Sequence, residues 1–190
     1  MSLGPHDVTS RAGAPLRVLF LCTANSARSQ IAEALLARKG GDRFRVASAG
    51  AEPASAVHPR AVAVLAEVGI DWSGRHPKGV DAVADETWDL IITTCDRARE
   101  VCPAFAGRPT YAHWGVPDPA EAGRGRPDAF RDTLQLLAWR IDLMLALRPE
   151  LLDRLADEQR LNAIGRVNPG AATVAPPAPA GTQDESSPSR

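Results

Sequence analysis

The chain has 190 residues, 44% of them hydrophobic, and a formal net charge of −1, which suits one globular domain with tails and leaves no room for two catalytic domains. The near-neutral charge gives no electrostatic case for nucleic acid or an anionic membrane surface, no apolar run approaches a membrane span, and residues 1–15 lack the apolar core of a secretory signal. A cytoplasmic protein with no nucleic-acid and no membrane partner is expected, and its three cysteines, an odd number without close zinc-ligand spacing, are read as chemical groups rather than a disulfide framework or a metal site.

In chain order, residues 1–15 are expected to be a flexible N-terminal segment and residues 16–164 the folded domain. Val18-Leu-Phe-Leu21 has the continuous apolar character of a buried parallel strand. Ile31, Ala34, Leu35 and Arg38 then recur at helical spacing, in a helix starting at Ser29 and stopped by Gly40-Gly41. Between strand and helix lies Cys22-Thr23-Ala24-Asn25-Ser26-Ala27-Arg28-Ser29, read as an oxyanion-binding loop with a nucleophile at its base. A helix N-terminus offers free N–H groups and a positive dipole end to an anion, and the same field is expected to lower the Cys22 pKa so that thiolate exists at neutral pH. The Arg28 guanidinium can pair two donors with two oxygens of a tetrahedral oxyanion. Asn25 tolerates the left-handed backbone of an anion nest, and the Ser29 hydroxyl can hydrogen-bond the sulfur.

Further along, residues 43–48 read as a second strand ending in Ser48-Ala-Gly50, and 58–68 as a helix with Val62, Leu65 and Val68 or Ala66 inward, ended by Gly69. Residues 89–94 form a third strand, 96–102 a short helix terminated by Pro103, 110–114 a fourth strand, and 128–147 a long helix with Phe130, Leu134, Leu137, Ile141 and Leu145 on one stripe. Pro149 marks a break into a further helix through about residue 163. Residues 165–190 are a Pro/Ala/Ser-rich tail expected to be disordered. Alternating strands and helices imply a parallel sheet covered by helices on both faces.

Cys95 closes the third strand and Cys102 lies seven residues on. On a continuous helix the two share a face about 10 Å apart along the axis, too far for a disulfide, so bonding them requires the helix to unwind. The parallel sheet places the ends of strands one and three on one edge, where Cys95 can approach Cys22. Asp118, in His113-Trp-Gly-Val-Pro-Asp118-Pro119, follows the fourth strand on that edge and is a candidate general acid. His113 is expected to pack against the sheet and Trp114 to lie in the core. Glu33 is either an exposed helix acid or a brace for the loop.

Val18 to Ala34, Ser48-Ala-Gly50, the segment from Thr93-Thr-Cys-Asp to Cys102-Pro, and His113-Trp-Gly to Asp118-Pro119 resemble, in order and spacing, the low-molecular-weight tyrosine phosphatase family and its thioredoxin-linked arsenate reductase branch. The resemblance covers about residues 16–147. It implies an α/β fold with a four-stranded parallel sheet and helices on both sides, arsenate as substrate with phosphate or sulfate competing, thioredoxin as partner, a monomer, and no metal or organic cofactor. It implies that Cys22 attacks arsenate held by the loop and Arg28, that Asp118 protonates the departing oxygen, and that Cys95 and then Cys102 carry a disulfide relay. Ala24 and Ala27 stand where many members carry glycine and a second cysteine, and around residues 71–78 the acidic residue that helps some relatives hold a monovalent cation is not evident. Two other readings use the same loop. A tyrosine phosphatase needs Cys22, Arg28 and Asp118 but no resolving pair, and usually has aromatics after Asp-Pro where this chain has Ala120-Glu-Ala122. A non-catalytic oxyanion sensor or phosphocarrier needs neither Asp118 nor the pair.

Overall fold

The structure, a computed structural model, describes residues 14–107, 109–122, 126, 128–147 and 156–168. Four strands, β1 (Leu16–Cys22), β2 (Phe44–Gly50), β3 (Leu90–Thr93) and β4 (Thr110–His113), form one parallel sheet in the order β2-β1-β3-β4. The helices are α1 (Arg28–Gly40), α2 (Pro59–Glu67), α3 (Asp96–Glu100), α4 (Pro119–Ala122), α5 (Ala129–Leu145) and α6 (Ala156–Arg166), with single 3-10 turns at Gly41–Arg43 and Val80–Val83. This is the expected architecture. Because β2 and β3 flank β1 on opposite sides, chain direction across the sheet reverses beside β1, and a crevice opens at the carboxyl edge between β1 and β3.

Side chains alternate across the sheet and divide the core into two layers. Val18 and Phe20 face the thicker layer with α1, α2, α5 and α6. Leu19 and Leu21 face a thinner layer with Trp88, Ile91, Cys95, Ala98 and Phe105, which Cys22 joins from the end of the strand and against which Cys102 packs. All three cysteines therefore belong to the α3 side of the sheet.

Apart from α6, strand and helix ends differ from expectation by at most two residues, and two faces differ in register. On α2 the buried residues are Ala61, Val64 and Leu65, while Val68 is 48% exposed, because the helix ends at Glu67 and Val68 turns with the cap. On α5 Met144 takes the buried place expected of Leu145. Leu161 and Ile164 bury α6 against the core, and Trp114 Nε1 donates to the Leu161 carbonyl at 2.9 Å. Helix α6 runs to Arg166, so the expected domain end at 164 falls inside a helix. The expected break at Pro149, most of the N-terminal segment, and residues 169–190 of the tail lie outside the described residues. Among the described residues no helix is long and apolar enough to cross a membrane.

Candidate active site

Cys22 is the last residue of β1 and pairs in register with Gly50 of β2. The chain then turns through residues 23–27 into α1. The carbonyls of Cys22, Thr23, Ala24 and Ser26 accept hydrogen bonds from Ala51, Glu52, Ala54 and His58 N–H at 2.8–3.3 Å. A single flanking segment thus takes up four carbonyl dipoles that would repel an anion. That segment approaches very closely. A Cβ on Gly50 would lie 2.6 Å from the Thr23 carbonyl oxygen and 2.8 Å from the Asn25 nitrogen, so glycine alone fits.

Beneath the loop a buried polar network sets the sulfur's environment. Asn25 holds the left-handed backbone expected of it, with φ 47°. Its Oδ1 accepts from Lys78 N–H at 2.8 Å and Gln30 Nε2 at 3.0 Å, and its Nδ2 donates to Ser29 and Ser48 Oγ, each at 2.8 Å. Since a backbone N–H can only donate, the Lys78 bond fixes the amide orientation and makes Nδ2 the donor to both serines. Each serine hydroxyl accepts from Asn25; Ser48 donates its own proton to Glu33 Oε2 at 2.6 Å, and Ser29 Oγ lies 2.9 Å from Cys22 Sγ, where it donates to the sulfur in its thiolate form. Asn25 N–H adds a second donor to the sulfur at 3.1 Å. Glu33 is 5% exposed and braces the loop, which decides between the two readings of it. Gln30, tied to Asn25 and to Trp72 Nε1 at 2.7 Å, was missed; its signal was a polar residue between Ser29 and Ile31 on the buried side of a helix.

The expected low pKa of Cys22 is not what the structure shows. Burial pushes the thiol above its ordinary value, and the Ser29 hydroxyl, the Ser29 and Asn25 N–H groups and the Arg28 charge pull it down without overcoming that cost. Dipole and donors are aimed as the sequence implied, but Cys22 is 2% exposed, and Arg28 is engaged at the rim. Arg28 Nη2 meets Asp118 Oδ2 at 2.6 Å and Nη1 donates to the Val116 carbonyl at 3.1 Å. Asp118 Oδ1 also accepts from Ala120 N–H at 2.9 Å.

A cavity of about 790 Å³ opens on this edge. Cys22, Thr23, Ala24, Ser26, Ala27, Arg28, Cys95 and Asp118, from three separate segments, all line it, whereas Asn25 and Ser29 are fully buried below. Thr23 Oγ1 lies 3.3 Å from Cys95 Sγ, so a loop hydroxyl adjoins the second thiol. Cys102 is elsewhere. Helix α3 stops at Glu100, because a residue before proline disfavours helical backbone. Cys95 is its extended N-cap residue and Cys102 lies past its end, lining a different cavity. The picture of two cysteines on one face of a continuous helix is thereby corrected. All three thiols are free. Burial pushes the Cys102 thiol up as well.

His113 packs at the sheet edge, its Nδ1 2.8 Å from Thr93 Oγ1 and its Nε2 3.2 Å from Asp96. Trp114 is fully buried. Among the described residues no group of three His, Cys, Asp or Glu is placed to hold a metal ion. The arrangement joins a buried sulfur nucleophile, a guanidinium fork, a carboxyl group hydrogen-bonded to that fork and a second thiol, which suits attack on a tetrahedral oxyanion followed by thiol exchange.

Comparison with known proteins finds arsenate reductases of the same fold. An arsenate reductase of Halalkalibacterium halodurans is 43% identical over 105 residues, 55% of this chain and 75% of its own length. A solved arsenate reductase in a phosphate-binding state superposes with TM-score 0.61 at 28% identity, covering 69% of this chain and 97% of the other. The thioredoxin-dependent arsenate reductase of Corynebacterium glutamicum superposes with TM-score 0.57 at 32% identity, covering 70% and 62%. The family profile described as low molecular weight phosphotyrosine protein phosphatase matches residues 17–160, and with this fold and loop the chain belongs to that family.

Proposed function

We propose that this chain reduces arsenate to arsenite through a thiol relay over Cys22, Cys95 and Cys102, with thioredoxin as the final reductant. The observation that carries the reading is the second thiol: Cys95 lines the same cavity as Cys22, Arg28 and Asp118, beside the Thr23 hydroxyl. Hydrolysis of a phosphate ester has no use for it. The similarity to arsenate reductases, one of them thioredoxin-dependent, supports the same choice.

Arsenate enters as a tetrahedral anion, exchanging with Asp118 for the Arg28 fork. Cys22 thiolate attacks arsenic, an oxygen departs as water with a proton from Asp118, and a sulfur–arsenic(V) bond forms. Cys95 thiolate then attacks Cys22 Sγ. The sulfur–arsenic bond breaks with its electron pair left on arsenic, arsenite departs, and a Cys22–Cys95 disulfide remains. Cys102 thiolate attacks Cys95 Sγ, releasing Cys22 and moving the disulfide to Cys95–Cys102, where the two thiols of thioredoxin reduce it. The third step needs α3 to open, and five residues with Ala98 alone buried make it an inexpensive element to unwind. Electrons and protons balance with thiols alone.

The test is NADPH consumption by purified protein with arsenate, thioredoxin and thioredoxin reductase. Wild type should turn over in an arsenate-dependent manner, and Cys102→Ser should form at most about one equivalent of arsenite and consume no NADPH. Absent turnover combined with steady aryl phosphate hydrolysis, indifferent to Cys102→Ser, would make the protein a phosphatase. Stoichiometric modification of Cys22 without turnover would make it a sensor.

A further inference from the structure

A second cavity, of about 700 Å³, shares only Gly115 with the first. Cys102 and Arg99 line it from the α3 side, Tyr111 and His113 from β4, Asn162 and Arg166 from α6. Its chemistry is distinctive in three ways. A half-buried thiol that the substrate cavity does not contain opens into it. Two arginines stand on walls built by different elements, and among the described residues no carboxylate lines it. Asp96 outside it is an exposed side chain shared between Arg99 at 3.5 Å and His113 Nε2 at 3.2 Å, a contact that water screens strongly. The volume suits a ligand of tripeptide size, and the charge suits one with carboxylates.

The α6 wall is rigidly built. His113 N–H donates to Asn162 Oδ1 at 2.7 Å, closing the free edge of β4. A Cβ on Gly165 would lie 2.1 Å from the His113 carbonyl oxygen. Asn162 and Arg166 also fall beyond residues 17–160, the span that the family profile matches. The cavity is therefore not a by-product of the oxyanion site.

We propose that this cavity is a binding site for a small carboxylate-bearing thiol and its disulfide, which exchange with Cys102. Cys102 thiolate attacks one sulfur of the bound disulfide RSSR, that sulfur–sulfur bond breaks, a Cys102–SR bond forms, and RS⁻ leaves with the electron pair and takes up the proton Cys102 gave away. In the opposite direction a bound RS⁻ attacks the outer sulfur of Cys102–SR, the bond to Cys102 breaks, Cys102 leaves as thiolate, and RSSR departs.

Glutathione disulfide, anionic, and hydroxyethyl disulfide, neutral, serve as probes on the full chain carrying Cys95→Ser, so that no neighbouring thiol removes the adduct. Peptide mass mapping after acid quench gives the rate of adduct formation at Cys102. The ratio of the anionic to the neutral rate should fall about tenfold in Arg99→Ala/Arg166→Ala and should fall with added salt, as expected for two solvent-screened charge pairs. Were Cys95→Ser to fold poorly, the same mapping on wild type with rapid quench reads the first sulfur modified. A ratio indifferent to both arginines, or an adduct appearing first on Cys22 or Cys95, would overturn the proposal. No arsenate enters this assay, so loss of arsenate turnover in the preceding experiment bears on the relay alone.

Discussion

Asn25 combines a left-handed backbone with an amide whose four hydrogen-bonding positions are all filled, and it holds the Ser29 hydroxyl beside the Cys22 sulfur, where it donates to the thiolate. That bond favours thiolate, burial favours thiol, and burial is the larger effect. Removing the hydroxyl in Ser29→Ala should therefore raise the Cys22 pKa further and slow its alkylation by iodoacetamide at neutral pH by roughly tenfold, since a hydrogen bond to a charged group contributes about 1.5–3 kcal/mol. The alkylation rate of both proteins should climb with pH, with the variant's curve displaced to higher pH. An unchanged curve would mean that Ser29 does not donate to the sulfur.

Between elements, the end of β2 and the loop after β1 are in backbone contact, and no flexible side chain intervenes to yield. In Gly50→Ala the new methyl group meets the Thr23 oxygen and Asn25 nitrogen, so the loop must shift from its network. A displacement near 1 Å costs on the order of a hundredfold in catalysis, whereas overpacking one methyl costs about 1–3 kcal/mol of stability. Arsenate turnover should therefore fall about a hundredfold in a protein that still melts cooperatively. Turnover close to wild type would show that the contact does not position the loop.

Across the whole molecule, Arg140 links α5 to two distant segments. It is 2% exposed, donates to the carbonyls of Trp114, Gly115 and Val167 at 3.2–3.4 Å, and burial lowers its pKa. The same guanidinium thus holds the strand exit that leads to Asp118 and the chain end after α6. Arg140→Met would leave three carbonyls short of a donor, and chemical denaturation should show a loss of about 2–3 kcal/mol. Turnover should fall through kcat more than KM, because Asp118 loses its placement while the Cys22 loop keeps its own. A variant as stable as wild type would mean that the cost of burying the charge equals what the three bonds return.

The sheet, the order of its elements and the loop from Cys22 to Ser29 were legible in the sequence, because strand hydrophobicity, helical spacing and the glycines at element ends are local signals. Cys22, Arg28, Cys95 and Asp118 were each singled out, but their convergence on one cavity comes from parallel pairing of β1 with β3 and β3 with β4. The extent of α3 was misread: a pattern continuous through Cys102 yields to the backbone restriction of Pro103. The pKa of Cys22 was misread too, because a helix dipole can be inferred from sequence while the depth at which a sulfur sits cannot. Gln30, Arg140 and Asn162 bear on the site through residues 42, 26 and 49 positions away. Sequence by itself determined the local chemistry, a cysteine and an arginine on a loop between a strand and a helix. Tertiary structure decided burial, the Arg28–Asp118 pairing and the opening of Cys95 and Cys102 into different cavities, because desolvation and charge pairing depend on which distant segments pack together.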